Sequence, residues 1–170
     1  IGVSETALHE VLLSALVRYH ALYPKIKFSL VNLTNTQAIS AVKNQAVDFV
    51  LISTPFSLDK SLKSVPIKRF QDIVVCGERY RYLTGEKVSF RELTGLCIVS
   101  VNKTTKTYEY YRTLFRRYGL EFAPEIEVST SNQILPIVKN NLGIGFIPAS
   151  FAENEIANGE VFRLETEEEI

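Results

Sequence analysis

The hydrophobic period in the first third of the chain switches back and forth, and this alternation restricts the fold more than any other feature. Ile1-Gly2-Val3 is a short apolar piece, read as the end of a strand. From Ala7 the spacing changes. Leu8, Val11, Leu12, Ala15, Leu16 and Tyr19 recur at three and four, which predicts an amphipathic helix ending near Tyr23-Pro24. Ile26, Phe28 and Leu30 then alternate with Lys27, Ser29 and Val31, a strand period. Thr34 or Thr36 is placed to cap a second helix with Ile39 and Val42 on its buried side, closed by Asn44-Gln45. The apolar run Phe49-Val50-Leu51-Ile52 reads as a buried parallel strand. The order is strand, helix, strand, helix, strand, so the fold class is α/β. Hydroxyl side chains follow the first and third strands directly: Ser4 and Thr6, then Ser53 and Thr54. In doubly wound sheets ligands bind at these carboxyl ends. Helix capping explains any one such residue, and the repetition is what points to a site.

The middle of the chain reads as a second unit. Asp72 to Cys76 is a strand, Val88 to Leu93 a short ordered piece in a turn-rich stretch, and Cys97-Ile98-Val99 another strand. Asn102-Lys103-Thr104-Thr105-Lys106 leads into a helix over Tyr108 to Tyr118, ended by Gly119. Tyr111, Leu114, Phe115 and Tyr118 share its core face, with Tyr108 at the edge. Ile126 to Val128 is a strand, and Ser129-Thr130-Ser131-Asn132 precedes a helix near Gln133 to Asn141. Ile144 to Ile147 is a strand stopped by Pro148. The tail begins helical, turns at Asn158-Gly159, and gives a strand around Val161 to Leu164 before a frayed acidic end, Glu165 to Glu169.

In the stretch "VKNNLGIGFIP" the Gly143-Ile144-Gly145 triplet follows a helix and precedes a strand. A dinucleotide loop needs the opposite order. The local reading makes Gly143 a left-handed cap and Gly145 a point of close backbone packing.

Lys+Arg and Asp+Glu both number 19, so the net charge is +0, which argues against this segment gripping nucleic acid, because binding a phosphate backbone needs concentrated positive charge. No apolar run has membrane-spanning length, and the start lacks a signal peptide's basic and apolar regions. The first residue is not Met, so the sequence reads as a fragment or a processed chain. Cys76 and Cys97 both sit in apolar runs and read as buried thiols, which leans towards a cytoplasmic origin. His9 and His20 have no clustered partners, so no metal site is expected. His9 has no acid or nucleophile neighbour, Asp48 no partner carboxylate, and no Gly-X-Ser-X-Gly elbow occurs. No catalytic residue, enzyme activity or cofactor is expected. A binding site is easier to assemble from Ser4, Thr6, Thr54, Lys103, Thr104, Thr105, Thr130 and Ser131, because three of these clusters precede helices, whose free N–H groups favour an anion.

The order of these pieces resembles the effector-binding domain of LysR-type transcriptional regulators. The matching stretches are "IGVSETALHEVLLSALVRYHALYPKIKFSLV", "NTQAISAVKNQAVDFVLIS", "SVPIKRFQDIVVCG", "VSFRELTGLCIVS" and "VKNNLGIGFIP". The resemblance implies a two-lobed fold like type-2 periplasmic binding proteins, with a central ligand cleft. Residues 1–71 would form the first lobe, 148–170 would return to it, and 72–147 would form the second. The hinge crossovers would fall at Arg69, Phe70, Gln71 and Asp72, and at Phe146, Ile147 and Pro148. Family effector contacts would fall on Ser4, Glu5 and Thr6, on Asn102, Lys103, Thr104 and Thr105, and on Thr130, Ser131 and Asn132, with Thr54 also lining the cleft.

The resemblance further implies a small-molecule effector, such as a carboxylate or amino acid, that alters the geometry of a homodimer in the cytoplasm. DNA would be bound only through a winged-helix domain absent from this sequence. A further strand and helix completing the first lobe would be missing at the other end, exposing apolar surface. The alternative with the same fold is a transporter's solute-binding protein. An enzyme on this fold would need an acid or base in the cleft, and none stands out.

Overall fold

A computed structural model describes residues 1–57 and 60–170. The chain forms two compact units, Ile1–Arg69 and Phe70–Ile170.

The first unit is built on a three-stranded parallel sheet with β1 (Gly2–Val3) between β2 (Val31–Asn32) and β3 (Val50–Leu51). A helical stretch follows β1: α1 (Glu5–Ala7), a π-helical turn over Leu8–Leu12, then α2 (Leu13–Leu22). The π turn inserts a residue into the helical period, and this changes the predicted face. Ala7 and Leu12 are buried, but Ala15 and Tyr19 face outward while Glu10 turns inward. Helix α3 (Asn35–Lys43) begins at a Thr34–Gln37 capping box, which settles the choice between the two threonines. It buries Ala38, with Ile39 and Val42 only half-covered. The strand expected over Ile26–Val31 is reduced to the Val31–Asn32 ladder. Phe28 instead packs edge-on against Tyr19 at 5.9 Å. Strand β3 is half-buried rather than buried, and Phe49 is 48% exposed.

The second unit holds a five-stranded sheet in the order β6-β5-β7-β4-β8. Its strands are β4 (Asp72–Cys76), β5 (Ile98–Val101), β6 (Ile126–Val128), β7 (Ile144–Pro148) and β8 (Phe162–Leu164). The first of its helices are α4 (Phe90–Leu93) and α5 (Lys106–Arg117), followed by α6 (Ile134–Lys139) and α7 (Glu153–Ala157). Strands β5, β6 and β7 are parallel, and β4 runs antiparallel to β7 and β8. Tyr108, Tyr111, Leu114 and Phe115 of α5 are buried at helical spacing. Phe115 stacks on Phe90 at 4.6 Å, with Phe122 and Phe146 closing the aromatic core. Tyr118 stays outside that core at 45% exposure, because the helix ends at Arg117 and Gly119 turns the chain with φ +70°.

Several expectations are corrected here. Residues 148–170 do not return to the first unit. Val161 and Leu164 are buried in the second unit's core, and β8 pairs with β4. The second crossover placed at Phe146, Ile147 and Pro148 therefore lies inside a regular ladder, with Ile147 facing Ile73 and Phe146 facing Val74. The acidic end is docked, not frayed: Val88 bridges Thr166, and a Glu168 carboxylate accepts the Phe90 N–H at 2.8 Å. The left-handed residue after α6 is Asn141, with φ 63°, not Gly143. Gly143 is needed for space, since a Cβ there would lie 2.5 Å from the Cys97 carbonyl oxygen. Cys76 is buried as expected, whereas Cys97 is half-buried.

Candidate functional site

In the first unit the three parallel strands end along one edge, because Val3 is in register with both Asn32 and Leu51. Ser4 leaves β1 there, buried, its N–H bonded to the Leu51 carbonyl and its Oγ capping the helix weakly at Ala7 N, 3.4 Å away. Glu5 follows in the first helical turn. Its Oε2 accepts from Asn32 Nδ2 at 2.6 Å, and its Oε1 lies 3.2 Å from His9 Nε2. His9 thus has an acid neighbour at i,i+4, missed because the helix, expected from Ala7, already begins at Glu5. Thr6 is half-buried in the same turn. Thr54 follows β3, exposed, in a loop tied down by Asn35, whose Nδ2 donates to the carbonyls of Ser53 and Pro55 at 2.6 and 3.2 Å. This edge gathers Ser4, Glu5 and Thr54 together with Asn32 and Asn35. Sequence reasoning passed over the two asparagines because one ends a strand and the other opens a helix as an unremarkable polar residue.

In the second unit β5 and β6 are neighbouring parallel strands with Val101 opposite Val128, so their carboxyl ends emerge side by side. The loops after them touch: Asn102 N–H donates to the Val128 carbonyl at 2.9 Å. Asn102 organises its own loop, its Oδ1 accepting from Thr104 N at 3.1 Å and Thr104 Oγ1 at 2.5 Å, an Asx-turn. Thr105 is the N-cap of α5, accepting from Tyr108 N at 3.1 Å. In the second loop Gln133 Oε1 accepts from Ser129 N and Thr130 N, while Thr130 Oγ1 donates to Asn132 Oδ1 at 2.5 Å. Ser131 opens the short 3-10 turn that leads into α6.

Lys103 is not an unoccupied anion ligand. Its Nζ sits 3.2 Å from the Glu127 carboxylate. The hydrogen bond and charge of Glu127 raise the Lys103 ammonium above its ordinary pKa. What remains for a ligand is a set of hydroxyls, amides and helix-start N–H groups, with a locally compensated charge. Such a set suits binding better than proton transfer. Cys76 is no nucleophile either, because burial, aided by Glu78, pushes its thiol up to about 11. Among the described residues no group of three His, Cys, Asp or Glu side chains could hold a metal ion. Nor is any described helix long and apolar enough to cross a membrane.

The model of the LysR substrate binding domain matches residues 1–170. The chain belongs to this family. The effector-binding domain of QuiR in complex with shikimate is 16% identical, with a TM-score of 0.80 over 99% of this chain and 80% of that one. The CcmR regulatory domain of Synechocystis PCC6803, in complex with 2-PG, is 18% identical, with a TM-score of 0.79 over 99% and 80%. HinK, a LysR family transcriptional regulator from Pseudomonas aeruginosa, is 16% identical, with a TM-score of 0.80 over 99% of this chain and 58% of that protein. No curated protein sequence matches. The fold is that of LysR effector-binding domains, which are type-2 periplasmic-binding-protein-like, and the family is one of transcriptional regulation rather than of solute transport.

Proposed function

We propose that this LysR-type domain senses a small polar molecule through its strand-end loops. These are Asn102 to Thr105 and Thr130 to Asn132 in the second unit, and Ser4 to Thr6 with Thr54 in the first. The observation that carries the reading is the pairing of two helix-start loops at the carboxyl ends of β5 and β6, joined by the Asn102–Val128 hydrogen bond. The small molecules named for two structural neighbours, shikimate and 2-PG, support an effector of that size. The Lys103–Glu127 pair and the engaged Glu5 favour a ligand recognised by hydrogen bonds to hydroxyl and amide groups over one held by bare charge.

The effector acts by binding one conformation better than another, and it shifts the population only by that difference in affinity. The shifted domain alters the geometry of a homodimer in the cytoplasm, and the attached DNA-binding units follow. The domain performs no catalysis. A thermal-shift screen against shikimate, amino acids and inorganic phosphate tests the reading. A saturating shift that Thr104→Ala and Thr130→Ala both weaken supports these loops, and a hit that both variants bind like the parent chain removes them.

A further inference from the structure

The connection from β2 to α3, Asn32 to Asn35, reaches all three strand ends of the first unit. At its start, Asn32 Nδ2 donates to Glu5 Oε2 at 2.6 Å, in the helical turn that follows β1. In its middle, the Leu33 N–H donates to the Val3 carbonyl at the end of β1, 2.9 Å away. The Leu33 side chain lies over the same strand, since a Cβ on Gly2 would be 3.1 Å from Leu33 Cδ1. At its end, Asn35 Nδ2 donates to the carbonyls of Ser53 and Pro55, in the loop after β3.

The two asparagines hold their targets in different ways. A side-chain amide carries two N–H hydrogens, and Asn35 directs its amide nitrogen at two carbonyls of one loop. Those carbonyls belong to the residues on either side of Thr54. The backbone is therefore gripped before and after Thr54, while Thr54 itself stays exposed. Asn35 is the first residue of α3, and the Thr34–Gln37 capping box fixes that helix start. The loop is thus anchored to a helix rather than to another loop. Asn32 instead holds a side chain. It takes one oxygen of the Glu5 carboxylate, while His9 Nε2 lies 3.2 Å from the other, so Glu5 is set from two sides.

We propose that the Asn32–Asn35 connection is a strap that orders the first unit's strand-end loops in advance of any ligand, with Asn32 positioning Glu5 and Asn35 positioning Thr54. Its functional meaning rests on the loop assignment made above. Both asparagines are positioning residues and need not touch the effector. A loop that is already ordered spares the ligand the entropy cost of ordering it, so loss of either donor weakens binding without removing a contact to the ligand.

Backbone order from 15N relaxation on the ligand-free chain tests the strap. In the parent, Thr54 is expected near the rigid value of about 0.85 in spite of its exposure. Asn35→Asp keeps the side chain's shape but turns a donor into an acceptor facing two carbonyls. It also places a negative charge in the first turn of α3, where it favours the helix. The order parameter at Thr54 is expected to fall below about 0.6 while the α3 amides stay ordered. Asn35→Ala removes the donor without adding charge and should give the same fall. Thr34→Ala, which loses the cap but keeps the Asn35 amide, should leave Thr54 ordered. Asn32→Ala should shift the amide signals of Ser4, Glu5 and Thr6 and leave that of Thr54 in place. A parent Thr54 already as mobile as in the Asn35 variants overturns the proposal. So does a Thr54 that stays rigid in both Asn35 variants, or one that Thr34→Ala loosens equally. No effector is used, so failure here leaves the Thr104 and Thr130 test intact, and failure of that test leaves the strap decidable.

Discussion

Gly145 and Ile134 are packed so closely that a Cβ on the glycine would lie 2.3 Å from Ile134 Cγ2. Strand β7 is the centre of the second unit's sheet, and α6 lies directly on it at this point. Gly145→Ala is therefore expected to destabilise the chain by about 1–3 kcal/mol through overpacking. Urea unfolding measures it. The double variant with Ile134→Ala, which removes the clashing methyl, is expected to cost clearly less than the sum of the two single changes. Strict additivity would mean that some other contact is responsible.

Thr34 closes a reciprocal capping box with Gln37, whose Oε1 accepts from Thr34 N at 3.0 Å. Helix α3 lies against β1 and β3 with its Ala38 fully buried, so its start matters to the first unit's sheet. Thr34→Ala is expected to cost about 1 kcal/mol, and Thr34→Ser to retain most of the stability. Thr36→Ala, two residues further on in the first turn, is the control and should change little. Equal losses at both positions would contradict the cap assignment.

Elements whose identity rests on local chemistry were legible in the sequence. The α5 helix shows its Tyr111, Leu114 and Phe115 face and its Gly119 stop as spacing alone, although the same spacing also puts the exposed Tyr118 on that face and Tyr108 only at its edge, and the Thr105 and Thr130 caps sit where polar residues meet a change of period. What was not legible depends on long-range pairing. Nothing in "EVFRLE" says that its strand joins β4 in the second unit, because an alternating strand carries no address for its partner. The π turn was also hidden: one inserted residue swaps Glu10 for Ala15 on the buried face without altering the sequence pattern. Lys103 looked like an anion ligand because Glu127, its partner, lies across a strand pair that only the fold creates.

Glu168 ties the chain's end to α4 by accepting the Phe90 N–H, beside the Ser89–Glu92 capping box. The Phe90 ring is fully buried and stacks on Phe115, so this bond steadies the entrance to the aromatic core. Glu168→Ala is expected to lower stability by about 1 kcal/mol and to speed hydrogen exchange at Phe90. Glu167→Ala, its exposed neighbour, should do neither. An unchanged Phe90 exchange rate in Glu168→Ala would show that the bond is not kept in solution.

The two cysteines should behave differently towards alkylating reagents, and the folded chain should weaken in alkali. Burial pushes the Cys76 thiol up to about 11 and also raises Cys97, though Cys97 is half-buried and therefore reachable. Near pH 8 iodoacetamide is expected to label Cys97 first and Cys76 only on unfolding, as read by intact mass and peptide mapping. Tyr111 shifts the same way, raised well above 10 by burial first and by Asp72 second. Both groups hold a proton in the native state that the unfolded chain releases. Their contribution is full below the unfolded values near 9 and 10 and is lost as pH climbs through the native ones. The urea midpoint should accordingly fall between about pH 9 and 11, and Cys76→Ala should flatten part of that fall. A midpoint that stays level across this range, or labelling of Cys76 ahead of Cys97 in the folded chain, would contradict the burial of the sheet's centre.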